Sequence, residues 1–262
     1  MTIRKPLQIA CDLDGVLWHR TLVLDGVQEA LKNLSEESAE VYFVTNNSFT
    51  PVSDIEERIT ELGYNAKGRV ITSPMITASF IPKGSRVLVL AGAGTLDLME
   101  SHGHIVCEWN NSPEYVIVGL RTDFNYEMLK HASFAIRQGA VLVATNDDPS
   151  YPTDEGLLPG SGAIVSAIAI AAGVTPKVIG KPNYPAVEFL TKKLNNSTVD
   201  FMIGDRLMQD GLFAQRLKTK FLLISNENGL QNSSEQIPIE QQFRSLNDAV
   251  NFLFNRSDSN DF

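Results

Sequence analysis

Short apolar runs alternate along the chain with longer stretches in which apolar residues recur every three or four positions. The short runs are rich in Val, Ile and Leu and predict strands, whereas the 3.6-residue spacing predicts amphipathic helices. This alternation is typical of an α/β protein with a largely parallel sheet, because parallel strands need crossover connections that are usually helical.

The predicted elements come in three groups along the chain. The first group has strands at 7–11 and 40–44, and helices at 26–34 and 51–62. The alternation restarts near residue 86, with strands at 87–90, 104–107, 115–118, 140–144 and 177–179, and helices at 95–101, 125–137 and 160–172. The last group has helices at 184–194, 207–217 and 245–254, and strands at 199–203 and 219–224. Residues 226–242 are predicted to be a loop, and residues 256–262 a frayed tail.

Composition narrows the classes of protein that this chain can belong to. Its 262 residues are 43% hydrophobic and 20% charged, which permits a sizeable core and argues against disorder. A formal net charge of −9 argues against binding to a nucleic-acid backbone. The longest apolar runs fall short of the ~18 residues of a membrane span, and the first residues lack the pattern of a signal peptide. We therefore expect a cytoplasmic protein without nucleic-acid or membrane partners.

The first candidate for chemistry is the sequence Asp12-Leu13-Asp14-Gly15, which directly follows an apolar strand. Two carboxylates this close repel each other unless a cation lies between them or one of them keeps its proton. An Asp-Gly pair is by itself more often a simple turn, so this motif alone only suggests a site.

Two further polar motifs follow predicted strands. Thr45-Asn46-Asn47-Ser48 offers a hydroxyl, amides and backbone N–H groups that can cradle an anion, although a polar turn is the simpler interpretation. Gly180-Lys181-Pro182 offers a fixed positive charge for a phosphoryl group, although most lysines are merely solvated. The lysine does not belong to a P-loop, because the required upstream glycine and the Ser or Thr after the lysine are missing.

The fourth motif is Gly204-Asp205-Arg206, with Asp210 five residues after Asp205. Carboxylates without His or Cys neighbours favour a hard ion that binds oxygen, and so Mg²⁺ over Zn²⁺. In open α/β sheets, ligands bind at the carboxyl ends of the strands, which is where all four motifs are predicted to lie.

In this order, the four motifs resemble those of the haloacid dehalogenase-like hydrolase superfamily. The long stretch between Thr45 and Lys181 is similar to that of the NagD-like and p-nitrophenyl phosphatase-like subgroup (subfamily IIA, with a C2-type cap). Within it, residues 144–149 and 155–163 resemble the subgroup's cap segment. The resemblance implies a Rossmann-like, doubly wound parallel-sheet core, residues 1–79 and 179–262, and an inserted smaller α/β cap, residues 80–178, which selects the substrate.

The resemblance also implies a role for each motif residue. Asp12 would be the nucleophile, and Asp14 the acid and base that serves the leaving oxygen and then water. Asp12, Asp205 and the Asp14 carbonyl would hold Mg²⁺, with Asp210 steadying the ion. The transferring phosphoryl group would be bound by the remaining motif residues, which are Thr45, Asn46, Asn47 and Lys181.

The implied function is a Mg²⁺-dependent phosphatase that hydrolyses small phosphorylated metabolites, such as a sugar phosphate, phosphoglycolate or a nucleotide, through an aspartyl-phosphate. Two alternatives stay open: a phosphotransferase on the same core, and a catalytically silent binding or regulatory protein. The oligomeric state is open too, and a homodimer is compatible with the resemblance.

The chain departs from the subgroup's pattern at Trp18-His19-Arg20, where a bulky aromatic residue could reshape the entrance of the site, and in residues 221–242. In the cap, Asn146, Asp147 and Asp148 are candidates for contacts with the leaving group, against ordinary loop polarity as the alternative. Gly160-Ser161-Gly162 could approach an anion, against close packing at a helix start.

Overall fold

The computed structural model of the chain describes residues 5–153, 156–225 and 237–255. Its strands, in chain order, are β1 Gln8–Cys11, β2 Trp18–His19, β3 Leu22–Val23, β4 Glu40–Thr45, β5 Val70–Thr72, β6 Arg86–Leu90, β7 Ile105–Val106, β8 Tyr115–Val118, β9 Val141–Ala144, β10 Ser150–Thr153, β11 Gly156–Pro159, β12 Lys177–Val178, β13 Phe201–Gly204, β14 Lys220–Ile224 and β15 Gln241–Phe243.

The helices, in chain order, are α1 Val27–Glu36, α2 Val52–Glu61, α3 Ser73–Phe80, α4 Ala93–Ser101, α5 Tyr126–Arg137, α6 Ser161–Ala172, α7 Tyr184–Lys193, α8 Leu212–Leu217 and α9 Leu246–Asn255. A π-helical turn, Leu207–Gly211, directly precedes α8. Several helix ends follow from local chemistry: for example, the side chain of Asn125 accepts a hydrogen bond from the backbone N–H of Met128 and so caps α5.

The chain forms two compact units, and the first contains residues 1–45, 52–71 and 187–262. Its six-stranded sheet has the order β15-β14-β13-β1-β4-β5, and the neighbours of β1 on both sides run parallel to it. The central strand β1 is buried over its whole length. A parallel sheet with helical crossovers requires such apolar strands, because both of its faces are covered.

The core of the first unit contains fully buried side chains from the sheet and from the helices that cover it. Phe43 of β4 packs edge-to-face against Tyr64, with ring centroids 5.6 Å apart. The Tyr64 hydroxyl donates to the Ala39 carbonyl at 2.8 Å and accepts from the Val41 N–H at 2.9 Å. Burial is the main cause that raises the pKa of this phenol above its ordinary value. The phenol therefore joins the segment after α2 to the start of β4.

The second unit contains residues 46–51 and 72–186 and has its own five-stranded parallel sheet, with the order β12-β9-β8-β6-β7. Helices α5 and α6 pack against each other and against this sheet, where Val116, Val118 and Ala144 are fully buried. A short antiparallel pair, β10 and β11, belongs to the same unit.

The α/β class with a Rossmann-like parallel core is confirmed by this architecture. The sequence pattern missed the short elements: α3, β5, and the hairpins β2–β3 and β10–β11. It also assigned a loop to residues 226–242, of which 226–236 lie outside the described residues. The end of that segment is instead part of edge strand β15, which pairs with β14. Short edge strands carry too few apolar positions to show a period.

The domain limits at residues 79/80 and 178/179 stay a prediction, and so does the role of the insert as a cap. The predicted tail, 256–262, lies outside the described residues. Among the described helices, none combines the length and the apolar character needed to cross a membrane.

Candidate active site

Three of the predicted site residues stand at one edge of the first unit's sheet. Strand β1 lies between β4 and β13, and Cys11 is in register with Phe43 on one side and Ile203 on the other. Because the strands are parallel, their carboxyl ends meet at one edge of the sheet. Asp12 and Asp205 directly follow β1 and β13 there, and Thr45 is the last residue of β4.

A cluster of three carboxylates occupies this edge. One carboxylate oxygen from each of Asp12, Asp205 and Asp210 lies within 4.8 Å of the other two. Asp12 is 8% exposed and Asp210 is completely buried, so water screens these charges poorly. Three partly desolvated carboxylates at this separation repel each other strongly, and a bound cation would remove that repulsion.

The local backbone explains how Asp210 reaches the cluster. The π-helical turn after β13 carries Asp210, and its carboxylate accepts a hydrogen bond of 3.1 Å from the backbone N–H of Arg206. This bond holds the Asp210 side chain close to the end of β13. The sequence predicted an α-helix over 207–217, whereas the structure has a π-helical turn over its first residues, and Asp210 lies in that turn.

Two glycines give the carboxylates the space that they occupy. Gly15 has φ +88°, and a Cβ built on it would overlap the carboxylate of Asp205. A Cβ on Gly204 would overlap the side chain of Asp210. Any other residue at either position would have to displace an acid of the cluster, and at Gly15 it would also be strained.

This donor set fits a hard divalent cation. All three groups offer carboxylate oxygen, and no His or Cys belongs to the cluster in the part of the chain that the structure describes. Such all-oxygen sets suit Mg²⁺ or Ca²⁺ rather than Zn²⁺ or copper. Asp12, Asp205 and Asp210 are therefore the side chains that would hold the ion, and a contribution from the Asp14 carbonyl stays a prediction.

Asp14 begins a short hairpin directly beside the cluster. It forms a β-bridge with Trp18, and the N–H of Gly15 donates to the Trp18 carbonyl at 2.8 Å. Strands β2 and β3 then pair antiparallel, with Trp18 opposite Val23. The hairpin thus fixes the backbone on the carboxyl side of Asp14.

Arg58 of α2 holds this hairpin in place, and the sequence pattern gave no signal for it. Its guanidinium lies 4.0 Å from the centre of the Trp18 ring and donates to the carbonyls of Arg20 and Thr21 at 2.8 and 2.9 Å. Burial lowers the pKa of Arg58 from its ordinary value, and the negative charge of Asp14 opposes that shift. Trp18 itself is only 5% exposed, which indicates a packing role rather than an open entrance.

Replacing Arg58 by alanine should therefore loosen the hairpin. We expect Arg58→Ala to lower the free energy of unfolding by about 1–3 kcal/mol, from one cation–π contact and two hydrogen bonds to carbonyls. Chemical denaturation measures this loss, and a red shift of tryptophan emission reports the exposure of Trp18. Arg58→Lys, which keeps the charge but lacks the planar fork, should lose an intermediate amount. Equal stability of the wild type, Arg58→Ala and Arg58→Lys would contradict the stabilising role of Arg58 at the hairpin.

The second unit brings together two other predicted site residues. The side-chain amide of Asn46 donates to the Lys181 carbonyl at 3.0 Å, and Lys181 is only 2% exposed. The side chain of Asn47 is engaged within its own turn, where it accepts from the N–H groups of Phe49 and Thr50 at 2.9 Å each. The structure therefore supports close association of Asn46 with Lys181, and gives the Asn47 side chain a local structural role.

Close packing explains why glycine occupies positions 160 and 162, at the start of α6. A Cβ on Gly160 would overlap the Asp148 carbonyl, and a Cβ on Gly162 would overlap the Asp147 carbonyl. The N–H of Gly162 also donates to the Asp148 carbonyl at 2.9 Å. This geometry favours close packing at the start of α6 over an anion site at the same place.

Comparisons with known proteins match the motif pattern. A family profile described as haloacid dehalogenase-like hydrolase matches residues 9–105, and a second, described as HAD-hydrolase-like, matches residues 178–249. The chain is 32% identical over 254 residues to the acid sugar phosphatase of Staphylococcus aureus, with 91% of this chain and 95% of the relative covered.

Two solved structures are similar over nearly the whole chain. The 4-nitrophenylphosphatase of Thermotoga maritima has a TM-score of 0.83 at 27% identity, with 93% of this chain and 96% of that chain covered. The glycerol phosphate phosphatase of Mycobacterium tuberculosis, solved in complex with calcium, has a TM-score of 0.80 at 27% identity, covering 91% and 73%. The carboxylate cluster, the parallel core and these relatives agree: the chain belongs to the haloacid dehalogenase-like hydrolase family, among its NagD-like and p-nitrophenyl phosphatase-like phosphatases.

Proposed function

We propose that this phosphatase is Mg²⁺-dependent and hydrolyses small phosphate monoesters through an aspartyl-phosphate. The observation that carries the proposal is the cluster of Asp12, Asp205 and Asp210, whose oxygens lie within 4.8 Å of one another. A group of three acids, two of them buried, is unfavourable for a phosphate-binding protein unless a cation offsets its charge. When bound, Mg²⁺ would supply that charge and polarise a phosphoryl oxygen.

The proposed reaction has two displacements at phosphorus. A carboxylate oxygen of Asp12 attacks, forming the bond between Asp12 and phosphorus while the bond to the ester oxygen breaks. Asp14 donates its proton to that leaving oxygen. Water then attacks the aspartyl-phosphate, Asp14 takes a proton from the water, and inorganic phosphate leaves with Asp12 restored. The covalent intermediate divides one difficult substitution into two easier ones.

The remaining motif residues are assigned to binding the phosphoryl group. Thr45 is 2% exposed at the end of β4 and offers a hydroxyl. Asn46, Asn47 and Lys181 offer backbone N–H groups and one positive charge. Phosphoryl transfer depends mainly on positioning and charge neutralisation, so this simple set is sufficient in chemical terms.

The relatives suggest a class of substrate. Their names refer to sugar phosphate, glycerol phosphate and nitrophenyl phosphate. Each of these compounds is a phosphate monoester of a small hydroxylated molecule. We propose that this chain acts on phosphate esters of small hydroxylated metabolites. A panel of sugar, polyol, glycolate and nucleotide monophosphates, ranked by kcat/KM, tests this choice, and a strong preference for nucleotides would contradict it.

Hydrolysis of p-nitrophenyl phosphate tests metal dependence directly. We expect turnover by the chain with Mg²⁺, and a loss of at least about a hundredfold after treatment with EDTA, restored by added Mg²⁺. Asp205→Asn should raise the Mg²⁺ concentration needed for half-maximal activity by at least about tenfold. Asp54→Asn, an exposed acid on α2, is the matched control and should behave like the wild type. Full activity in EDTA would contradict the proposal.

The oligomeric state stays open, with a homodimer compatible with the resemblance, and location in the cytoplasm stays a prediction. Light scattering behind size-exclusion chromatography measures the mass in solution, and a homodimer would give about twice the 28.8 kDa of one chain. A mass of one chain across the accessible concentration range would exclude a stable dimer.

A further inference from the structure

Three segments of the second unit meet around Asn46. Strands β9 and β12 are parallel neighbours, with Ala144 in register with Val178. The ladder continues beyond both strands, because the N–H of Gly180 donates to the Thr145 carbonyl at 2.8 Å. The segment after β9 therefore runs beside the segment that carries Lys181, and Asn46 contacts both.

The side chain of Asn46 is oriented by acceptors on these two segments. Its amide nitrogen donates to the Lys181 carbonyl at 3.0 Å and lies 3.4 Å from a carboxylate oxygen of Asp148. Its amide oxygen is buried against Gly180, where a Cβ would overlap it. The nitrogen thus faces two acceptors, and exchanging the two amide atoms would place an oxygen against both.

The backbone of Asn46 is held as well, and Asn146 is one of the groups that hold it. The Asn146 side-chain nitrogen donates to the Asn46 carbonyl at 2.9 Å, and the Ser73 hydroxyl donates to the same carbonyl at 3.0 Å. Asn146 is only 3% exposed, and its own amide oxygen accepts from the N–H of Asp148 at 3.2 Å. Its amide is thus fixed at both ends, which makes the contact to Asn46 well defined.

Peptide geometry carries this contact to the next residue. The carbonyl of Asn46 and the N–H of Asn47 belong to one planar trans peptide, in which they point in opposite directions. Two donors that fix the carbonyl therefore fix the direction of the Asn47 N–H. A preorganised N–H donor is useful for binding a phosphoryl oxygen because it needs no reorientation when the charge arrives.

We propose that Asn146 is a positioning residue, which orients the peptide between Asn46 and Asn47 for phosphoryl binding. The inference rests on the proposed function, in which Asn46, Asn47 and Lys181 bind the phosphoryl group. It assigns Asn146 to the phosphate-binding loop rather than to contacts with the leaving group. Its effect should accordingly be the same for every phosphate monoester, whatever group leaves.

Asn146→Ala tests the proposal through affinity for phosphate itself. We expect the inhibition constant of inorganic phosphate to rise about tenfold, the effect of roughly one buried hydrogen bond. KM for p-nitrophenyl phosphate should rise by a similar factor, with kcat changing less than about threefold. The rise in KM should be equal for glycerol phosphate, whereas a residue that contacts the leaving group would affect the two substrates differently.

A second variant separates positioning from shape. Asn146→Asp keeps the size of the side chain but replaces the donating nitrogen with oxygen, which faces the Asn46 carbonyl. We expect a loss of phosphate affinity at least as large as for Asn146→Ala. Asn125→Ala is the matched control, because this asparagine also makes a defined hydrogen bond, to the N–H of Met128, in the same unit. It should lower the melting temperature and leave the inhibition constant unchanged.

The outcomes distinguish this inference from the proposed function. A wild-type protein without phosphatase activity overturns both. Active wild type with unchanged phosphate inhibition in folded Asn146→Ala and Asn146→Asp overturns the inference alone. If neither variant folds, circular dichroism shows it, and the role of Asn146 is then stability and not positioning, which also overturns the inference.

Discussion

Asp12→Asn should reduce kcat for p-nitrophenyl phosphate by at least about a thousandfold, because an amide cannot serve as the nucleophile at phosphorus. The substitution preserves the shape of the side chain at the end of β1, so the fold should be kept. It also removes one of three crowded carboxylates, which lowers their mutual repulsion. Without metal, the melting temperature of the variant should therefore equal or exceed that of the wild type.

Two measurements make this prediction decisive. Brief reaction with substrate followed by acid quench should trap phosphate on wild-type protein and none on Asp12→Asn, as detected by mass spectrometry. Asp25→Asn changes an exposed acid and should leave both readouts unaltered. Retained turnover in Asp12→Asn would remove this residue from the role of nucleophile, and with it the proposed mechanism.

Gly15→Ala should impair the metal site without removing any of its ligands. A Cβ at this position would overlap the Asp205 carboxylate, and φ is +88°, where alanine is strained. We expect activity at limiting Mg²⁺ to fall by about a hundredfold, with partial recovery at high Mg²⁺. Strain alone should cost about 1–2 kcal/mol of stability.

Gly84→Ala is the control that separates the overlap with Asp205 from the backbone strain of a positive φ. Gly84 has nearly the same φ, +85°, but a Cβ there would meet no atom within 4 Å. Both variants should thus lose free energy of unfolding through strain, measured in urea, while only Gly15→Ala changes the Mg²⁺ requirement. Equal Mg²⁺ titrations for the two variants would contradict the role assigned to Gly15.

Local pattern was sufficient for the long elements and for the order of the motifs. Helix α1 has its apolar positions on one face, where Val27, Ala30, Leu31 and Leu34 are buried, as the 3.6-residue spacing predicted. Strand β1 is apolar between Gln8 and Asp12, so the local sequence was sufficient to predict an acid at the end of the strand. Such features depend on residues close together in the chain.

The positions of Asp210 and Arg58 could not be predicted in this way. Asp210 joins the cluster through a π-helical turn, and neither the width of that turn nor the bond to the Arg206 N–H has a sequence pattern. Arg58 occupies an ordinary polar position on α2, and only the approach of a hairpin nearly forty residues away gives it a partner. Asn146 is similar, because its acceptor on Asn46 lies 100 residues away.

The sequence by itself determined the class of fold, the strand ends at which acids and amides stand, and the family resemblance that these motifs carry. Tertiary structure decided which of those groups contact one another. Register between parallel strands brings Asp12 beside Asp205, and backbone approaches that only glycine permits leave room for the carboxylates. The spacing of apolar residues along the chain predicts which positions are buried, one position at a time. A catalytic site depends instead on distances between residues that are far apart in the chain.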